Sequence, residues 1–404
     1  MQSPDQKPAR RPRDPRIDAF RGLALVTIFV NHVPGNPYEA LTIRNFGFSD
    51  AAEAFFIMSG VAAGIAYGGR FQPERVAKDG YWPAISPMWN RAWTLYLTQL
   101  FLTLWAIAIY CAGAQFFAVP DLLETINLRQ LFANTQATLI GIPALTHQLG
   151  YVNILPAYCV LLLAAPLAIA IGVRKPLWLL AGSVALWFAA GVWRLNLPNY
   201  PNPGGWFFNP IAWQLIFVVG LLTGIALRRG ERFVPRSNGL FALCAGFLLF
   251  VLAWRYVPGF GAFLNSQMAR LGGLGVPFNI VSHDKTFLAA PRLLHVLALA
   301  YVLSCMPSVL RASGSAFAAP LRLLGRQGLL VFSAGTILSL LSNVAMEASR
   351  EATVLQLTLP IIGVVIMLIV AGLAETLGRR KAAPSYASTP DTTVGTGGIV
   401  ARAG

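Results

Sequence analysis

Arg21 and His32 stand eleven positions apart in RGLALVTIFVNH, and only Thr27 and Asn31 interrupt the apolar run between them. At 100° per residue, eleven steps of an α-helix come within about 20° of three whole turns. Both side chains therefore point the same way, roughly 16 Å apart along the axis. A histidine is a general base at neutral pH. An arginine at the far end of the same apolar rod either reaches out to lipid headgroups or binds an anion. Ionisable side chains inside such a segment are costly, which makes them functional candidates.

Two carboxylates follow in FGFSDAAEAFFIMSG, where Asp50 and Glu53 lie three apart just before an apolar run. That spacing is a capping box. It equally allows one carboxylate to cap while the other orients His32, so His32, Asp50 and Glu53 form the candidate catalytic set. Ser59 and Gly60, inside the run, read as small residues for tight helix packing. In SHDKTFLAAPRLLH, Asp284 and Lys285 can pair with each other, whereas Arg292 and His295 sit inside an apolar segment and need a buried partner or an anionic ligand. NPGGWFFNPIAWQ can be an interfacial aromatic belt or a surface on which sugars stack. The polar and aromatic residues of these loops are candidate substrate contacts: Asn31, Asn36, Asn153, Trp206, Asn209, Asp284, Lys285, Arg292 and His295, with Arg21 at the opposite end.

The elements that must position these residues are membrane helices. Of 404 residues, 56% are hydrophobic and 12% charged, with mean hydropathy +0.59; a water-facing domain carries about 25% charged residues. Ten apolar segments are expected to span, near 17–33, 52–69, 92–118, 152–172, 177–193, 211–227, 239–256, 286–306, 326–345 and 354–377. The stretch 128–142 reads as an interfacial helix. With the amino terminus in the cytoplasm, 23 of the 31 basic residues fall in inside segments and seven outside, Arg292 being within a span. That asymmetry predicts an all-α polytopic membrane protein with both termini cytoplasmic. Residues 1–16 form a basic, proline-rich leader expected to be disordered, 17–378 the membrane domain, and 379–404 a low-complexity tail. The net charge of +15 is dispersed over short loops, which argues against nucleic acid as a partner. The four cysteines and four histidines show no metal-ligand spacing, so no metal is expected, and the cysteines read as small core residues.

RIDAFRGLALVTIFVNHVPGN, NFGFSDAAEAFFIMSG, GWFFNPIAWQL and DKT…RLLHVLALAY, in that order, resemble the OpgC family of bacterial inner-membrane proteins linked to O-succinylation of osmoregulated periplasmic glucans. The Arg-x10-His element and the FF-x-x-SG block also look like the wider transmembrane acyltransferase-3 superfamily, in which that arginine and histidine are functional. The resemblance implies transfer of an acyl group, succinyl, from cytoplasmic succinyl-CoA to glucan hydroxyls in the periplasm. The donor then acts as a substrate, with no permanently bound cofactor. Membrane lipid, the glucan acceptor and glucan-synthesis proteins are the implied partners. His32 would take a hydroxyl proton or be acylated itself, Asp50 or Glu53 would orient it, and Lys285, Arg292 or His295 would hold the acyl carboxylate or the oxyanion. Members usually carry an aspartate in the segment matching GYVNILPAY, where this chain has Asn153. The rival reading is a transporter of a glucan or acyl carrier. It expects internal repeats and midplane polar residues, and neither is visible in the sequence.

Overall fold

A computed structural model describes residues 14–349 and 352–382; the leader 1–13 and the tail 383–404 lie outside the described residues. All ten apolar segments coincide with helices, and no β-strand occurs among the described residues. Helix α1 is Pro15–Asn31 and α2 is Ala51–Tyr67. A short α3, Pro73–Asp79, leads into the long α4, Trp82–Phe116. The expected interfacial piece is two short helices, α5 Arg129–Ala133 and α6 Thr135–Gly141. Then come α7 Ile154–Arg174, α8 Pro176–Val192, α9 Pro210–Arg229, α10 Asn238–Tyr256 and α11 Phe260–Gly273. The chain closes with α12 Ala290–Cys305, α13 Pro307–Gly314, α14 Ala319–Arg326, α15 Gly328–Ala348 and α16 Ala352–Ala382. Residues 14–16, placed in the leader by composition, are the cap and first turn of α1, and α16 continues four residues past the expected end of the membrane domain.

Seven of these helices are long and apolar enough to cross a membrane: α2, α4, α7, α9, α10, α15 and α16. An eighth span exists if α12 and α13, bent by 79°, are taken together. Two of the ten expected segments fall short of the length needed to be counted as spans. Helices α1 and α8 have 17 residues each, which rise only about 25 Å against a hydrocarbon core of about 30 Å. The protein is nonetheless a multi-pass membrane protein, because its apolar surface faces outward. The apolar window of α10 has mean hydropathy 1.8 with 6% of it buried, and that of α16 has 2.7 with 22% buried. Water would not tolerate so much exposed leucine and isoleucine; lipid does.

Local chemistry sets the helix ends that matter. Asp14 caps α1 by accepting from the Arg16 amide at 3.0 Å, with Pro15 at the first helical position. Asn209 and Pro210 start α9 in the same way, and Gly230, at φ +83°, ends it. The centre of the bundle is the α2–α9 pair, where Gly60 and Gly64 meet Gly220 and Gly224. A Cβ built on any of the four would lie 2.1–2.3 Å from a backbone oxygen of the partner helix. Small residues four apart on both helices permit this close approach, as expected for Gly60. Around the pair, Phe56, Trp213, Phe217 and Leu221 are fully buried.

Candidate active site

Two cavities lie at opposite ends of the bundle. The larger, about 990 Å³, is walled by the end of α1, the loop before α2, the starts of α7 and α12, the loop before α9, and the α10–α11 turn. The smaller, about 200 Å³, opens between the start of α1, α2, α4, α7 and the start of α15. His32 lines the first and Arg21 the second, so α1 carries its two unusual side chains to separate chambers. Phe332 of α15 lines both. Its ring packs 6.0 Å from Phe55 of α2, which in turn meets Tyr158 of α7 at 5.7 Å, so an aromatic layer separates the chambers.

His32 caps the end of α1, where the chain leaves the helix at VPG. Asn343 of α15 donates to its carbonyl at 2.9 Å, and the Tyr151 ring meets its imidazole edge-on at 4.9 Å. Tyr151 adopts φ +66°, a left-handed conformation uncommon for a bulky residue. Because nothing in the residue type announces that conformation, sequence reading missed it.

The carboxylates behave otherwise than expected. Asp50 and Glu53 do form the capping box: the Asp50 side chain accepts from the Ala52 amide at 2.8 Å, and Glu53 accepts from the Asp50 amide at 2.9 Å. Their remaining oxygens are taken by cations. Lys285 Nζ lies 2.5 Å from Asp50 Oδ2, and Arg292 reaches Glu53 Oε1 at 2.6 Å and Asp50 Oδ2 at 3.3 Å. No hydrogen bond joins His32 to either carboxylate among the described residues, so its ring is positioned by Tyr151 and the α1 terminus. Glu53 is fully buried behind Asp50 and does not line the cavity. Burial alone would push the Asp50 carboxyl up, but Lys285 and Arg292 outweigh it and hold it below the usual carboxylate range. The buried partner that Arg292 required is this pair.

Of the expected substrate contacts, Asn31, Asn153, Lys285 and Arg292 line the large cavity with His32 and Asp50. Asn31 Oδ1 is buried there without a hydrogen-bond partner, and Asn153, at the start of α7, makes no cap bond. The others serve the fold. Asn36 donates to the carbonyls of Val30 and Val33 and accepts from the Glu39 amide, closing the turn after α1. Trp206 is buried with its indole on the Pro198 carbonyl, and Asn209 caps α9 while donating to the Leu195 carbonyl. Asp284 accepts from the Phe287 amide at 2.8 Å instead of pairing with Lys285. His295 is buried beside the Ser49 hydroxyl at 2.7 Å and against Gly47, where any Cβ would strike its ring. It shapes the loop that presents Asp50.

Several lining residues escaped sequence reading. Phe48, Trp254 and His283 form an aromatic wall, with Phe48 4.4 Å from His283 and 5.3 Å from Trp254. Arg44 and Arg255 add cations. In the small chamber, Arg91 and Arg326 join Arg21, and no carboxylate lines that chamber. Arg21 lies 3.9 Å from Asp18, and Arg326 pairs with Glu375 at 3.0 Å. The signal for Arg91 and Arg326 was the excess of basic residues at the predicted inner face, where they could not be told from topological charges. The four cysteines are unpaired, and only Cys159 is buried. Among the described residues no group of three His, Cys, Asp or Glu could hold a metal.

A family model described as OpgC protein matches residues 13–379, which contain the whole of the expected membrane domain. No curated protein and no solved structure matches the chain.

Proposed function

The chain belongs to the OpgC protein family, and from that premise we propose that it is an inner-membrane O-acyltransferase that moves a succinyl group from succinyl-CoA to hydroxyls of a periplasmic glucan. The observation that carries this reading is the pair of chambers meeting at Phe332, with Arg21 in one and His32 in the other. An acyl-CoA has that polarity: an anionic nucleotide, a thin arm and a thioester at the tip. Its phosphates suit the basic chamber of Arg21, Arg91 and Arg326, and its arm passes the Phe55–Phe332 layer. The thioester then reaches the chamber where sugars have access. Both termini face the cytoplasm in this arrangement, and α1, shielded by its neighbours, and α8 complete ten passes.

At the thioester, His32 accepts the proton of a glucan hydroxyl as its oxygen attacks the carbonyl carbon. The carbon–sulfur bond breaks, and the departing thiolate takes the proton from the imidazolium. Lys285, held in place by Asp50, supplies positive charge for the developing oxyanion. Phe48 and Trp254 offer aromatic faces to the sugar. The test is to incubate the purified protein in detergent with succinyl-CoA and a glucan oligosaccharide. Mass spectrometry should find succinyl ester on the sugar together with free CoA. Intact thioester and unmodified glucan would overturn the reading, and they are what a transporter would leave.

A further inference from the structure

Charge in the large chamber does not cancel. Arg44, Arg255, Lys285 and Arg292 line it, against Asp50 as the one lining carboxylate. Lys285 and Arg292 are matched by Asp50 and Glu53, and Arg44 by Glu39. Arg255 has no carboxylate partner among the described residues. Its Nη1 donates to the Gly47 carbonyl at 3.0 Å and its Nη2 to Asn45 Oδ1 at 3.2 Å. A guanidinium carries five N–H donors in a rigid fork, so three remain beyond these two.

The position suits an anion receptor. Arg255 lies in the last turn of α10, where helix carbonyls favour a cation, and its two hydrogen bonds to the Asn45–Gly47 loop hold the fork in place. Lys285 and Arg292, the cations expected from sequence to meet an acyl carboxylate, already hold two carboxylates in a partly buried cluster. Their charges are thereby balanced within the cluster, whereas no carboxylate among the described residues balances the charge of Arg255.

We propose that Arg255 is the residue that selects the acyl group, by binding the free carboxylate of a dicarboxylic acyl chain whose thioester end lies at His32. The assignment rests on the acyl-transfer reading above and goes beyond it in naming the cation that reads the far end of the acyl chain. A guanidinium that only braced the Asn45–Gly47 loop, or that met lipid phosphate, would matter equally for any acyl group.

Succinyl-CoA and butyryl-CoA separate these roles, because both acyl chains have four carbons and only one ends in a carboxylate. The readout is the ratio of their kcat/KM values with a fixed glucan acceptor. In the wild-type protein the ratio favours succinyl. Arg255→Gln and Arg255→Met should lower it about 10- to 100-fold, the range of a charge-assisted hydrogen bond, with Arg255→Lys in between. A ratio that is the same in all four proteins, whatever happens to the absolute rates, overturns the assignment and leaves acyl transfer standing. A wild-type protein that transfers neither group overturns the functional reading and this assignment with it.

Discussion

His32 is held by its surroundings without a carboxylate behind it, which distinguishes it from a base that is oriented by an acid. The Tyr151 ring and the end of α1 fix the imidazole, so its function should depend on the ring itself more than on Asp50. Replacing His32 with Gln should lower kcat for acyl transfer about 10²- to 10⁴-fold, the span of general-base contributions, while KM for the donor changes little; stopped assays over a donor series will measure both. Glu53 belongs to a different kind of chemistry. It is buried against Arg292, and Glu53→Gln keeps the capping hydrogen bond but leaves the cation undercompensated. Breaking such a buried pair costs about 3 kcal/mol, which should appear as a lower melting temperature of the detergent-solubilised protein. Asn153 lines the same cavity as Asp50, so Asn153→Asp would add a second carboxylate to a chamber rich in cations.

Between elements, the decisive contact is the aromatic layer formed by Phe332 on α15 with Phe55 on α2. Its rings leave the chambers adjacent but separate, which suits a thioester arm that must pass while water and free sugar do not. Phe332→Ala should join the chambers and raise thioester hydrolysis in the absence of acceptor several-fold. Phe332→Trp should slow transfer without weakening donor binding. Release of free CoA from each variant, with and without glucan, checks both outcomes, and equal behaviour of the two variants would remove the layer from the pathway. The capping box before α2 and close helix packing at Gly60, though not the identity of α9 as the partner, were legible in the sequence because each is signalled by residues a few positions apart. The cavity's other walls were not. Phe48, Trp254 and His283 come from three separate segments, and no local spacing brings them together.

For the molecule as a whole, orientation is the quantity on which the proposed direction of transfer depends. The proposed orientation puts the loop after α1 outside and the α13–α14 turn inside, and each offers an exposed residue, Leu41 and Phe317. In a background with Cys111, Cys159, Cys244 and Cys305 replaced by serine, Leu41→Cys should react with a membrane-impermeant maleimide added to intact spheroplasts. Phe317→Cys should react only after lysis. The opposite pattern would place His32 on the cytoplasmic face and reverse the proposed direction.

Composition and periodicity were enough to determine that this chain is helical, lies in a membrane and carries Arg21 and His32 on one face of one rod, because those properties follow from local residue order and an invariant helical pitch. Which polar residues are free for chemistry was decided only by the tertiary structure. Asn36, Trp206, Asn209 and His295 look the same in sequence as Asn31 and Lys285, yet the first four meet fold-supporting partners and the last two face a cavity. A side chain's availability depends on what packs against it from distant parts of the chain, and no single segment contains that information.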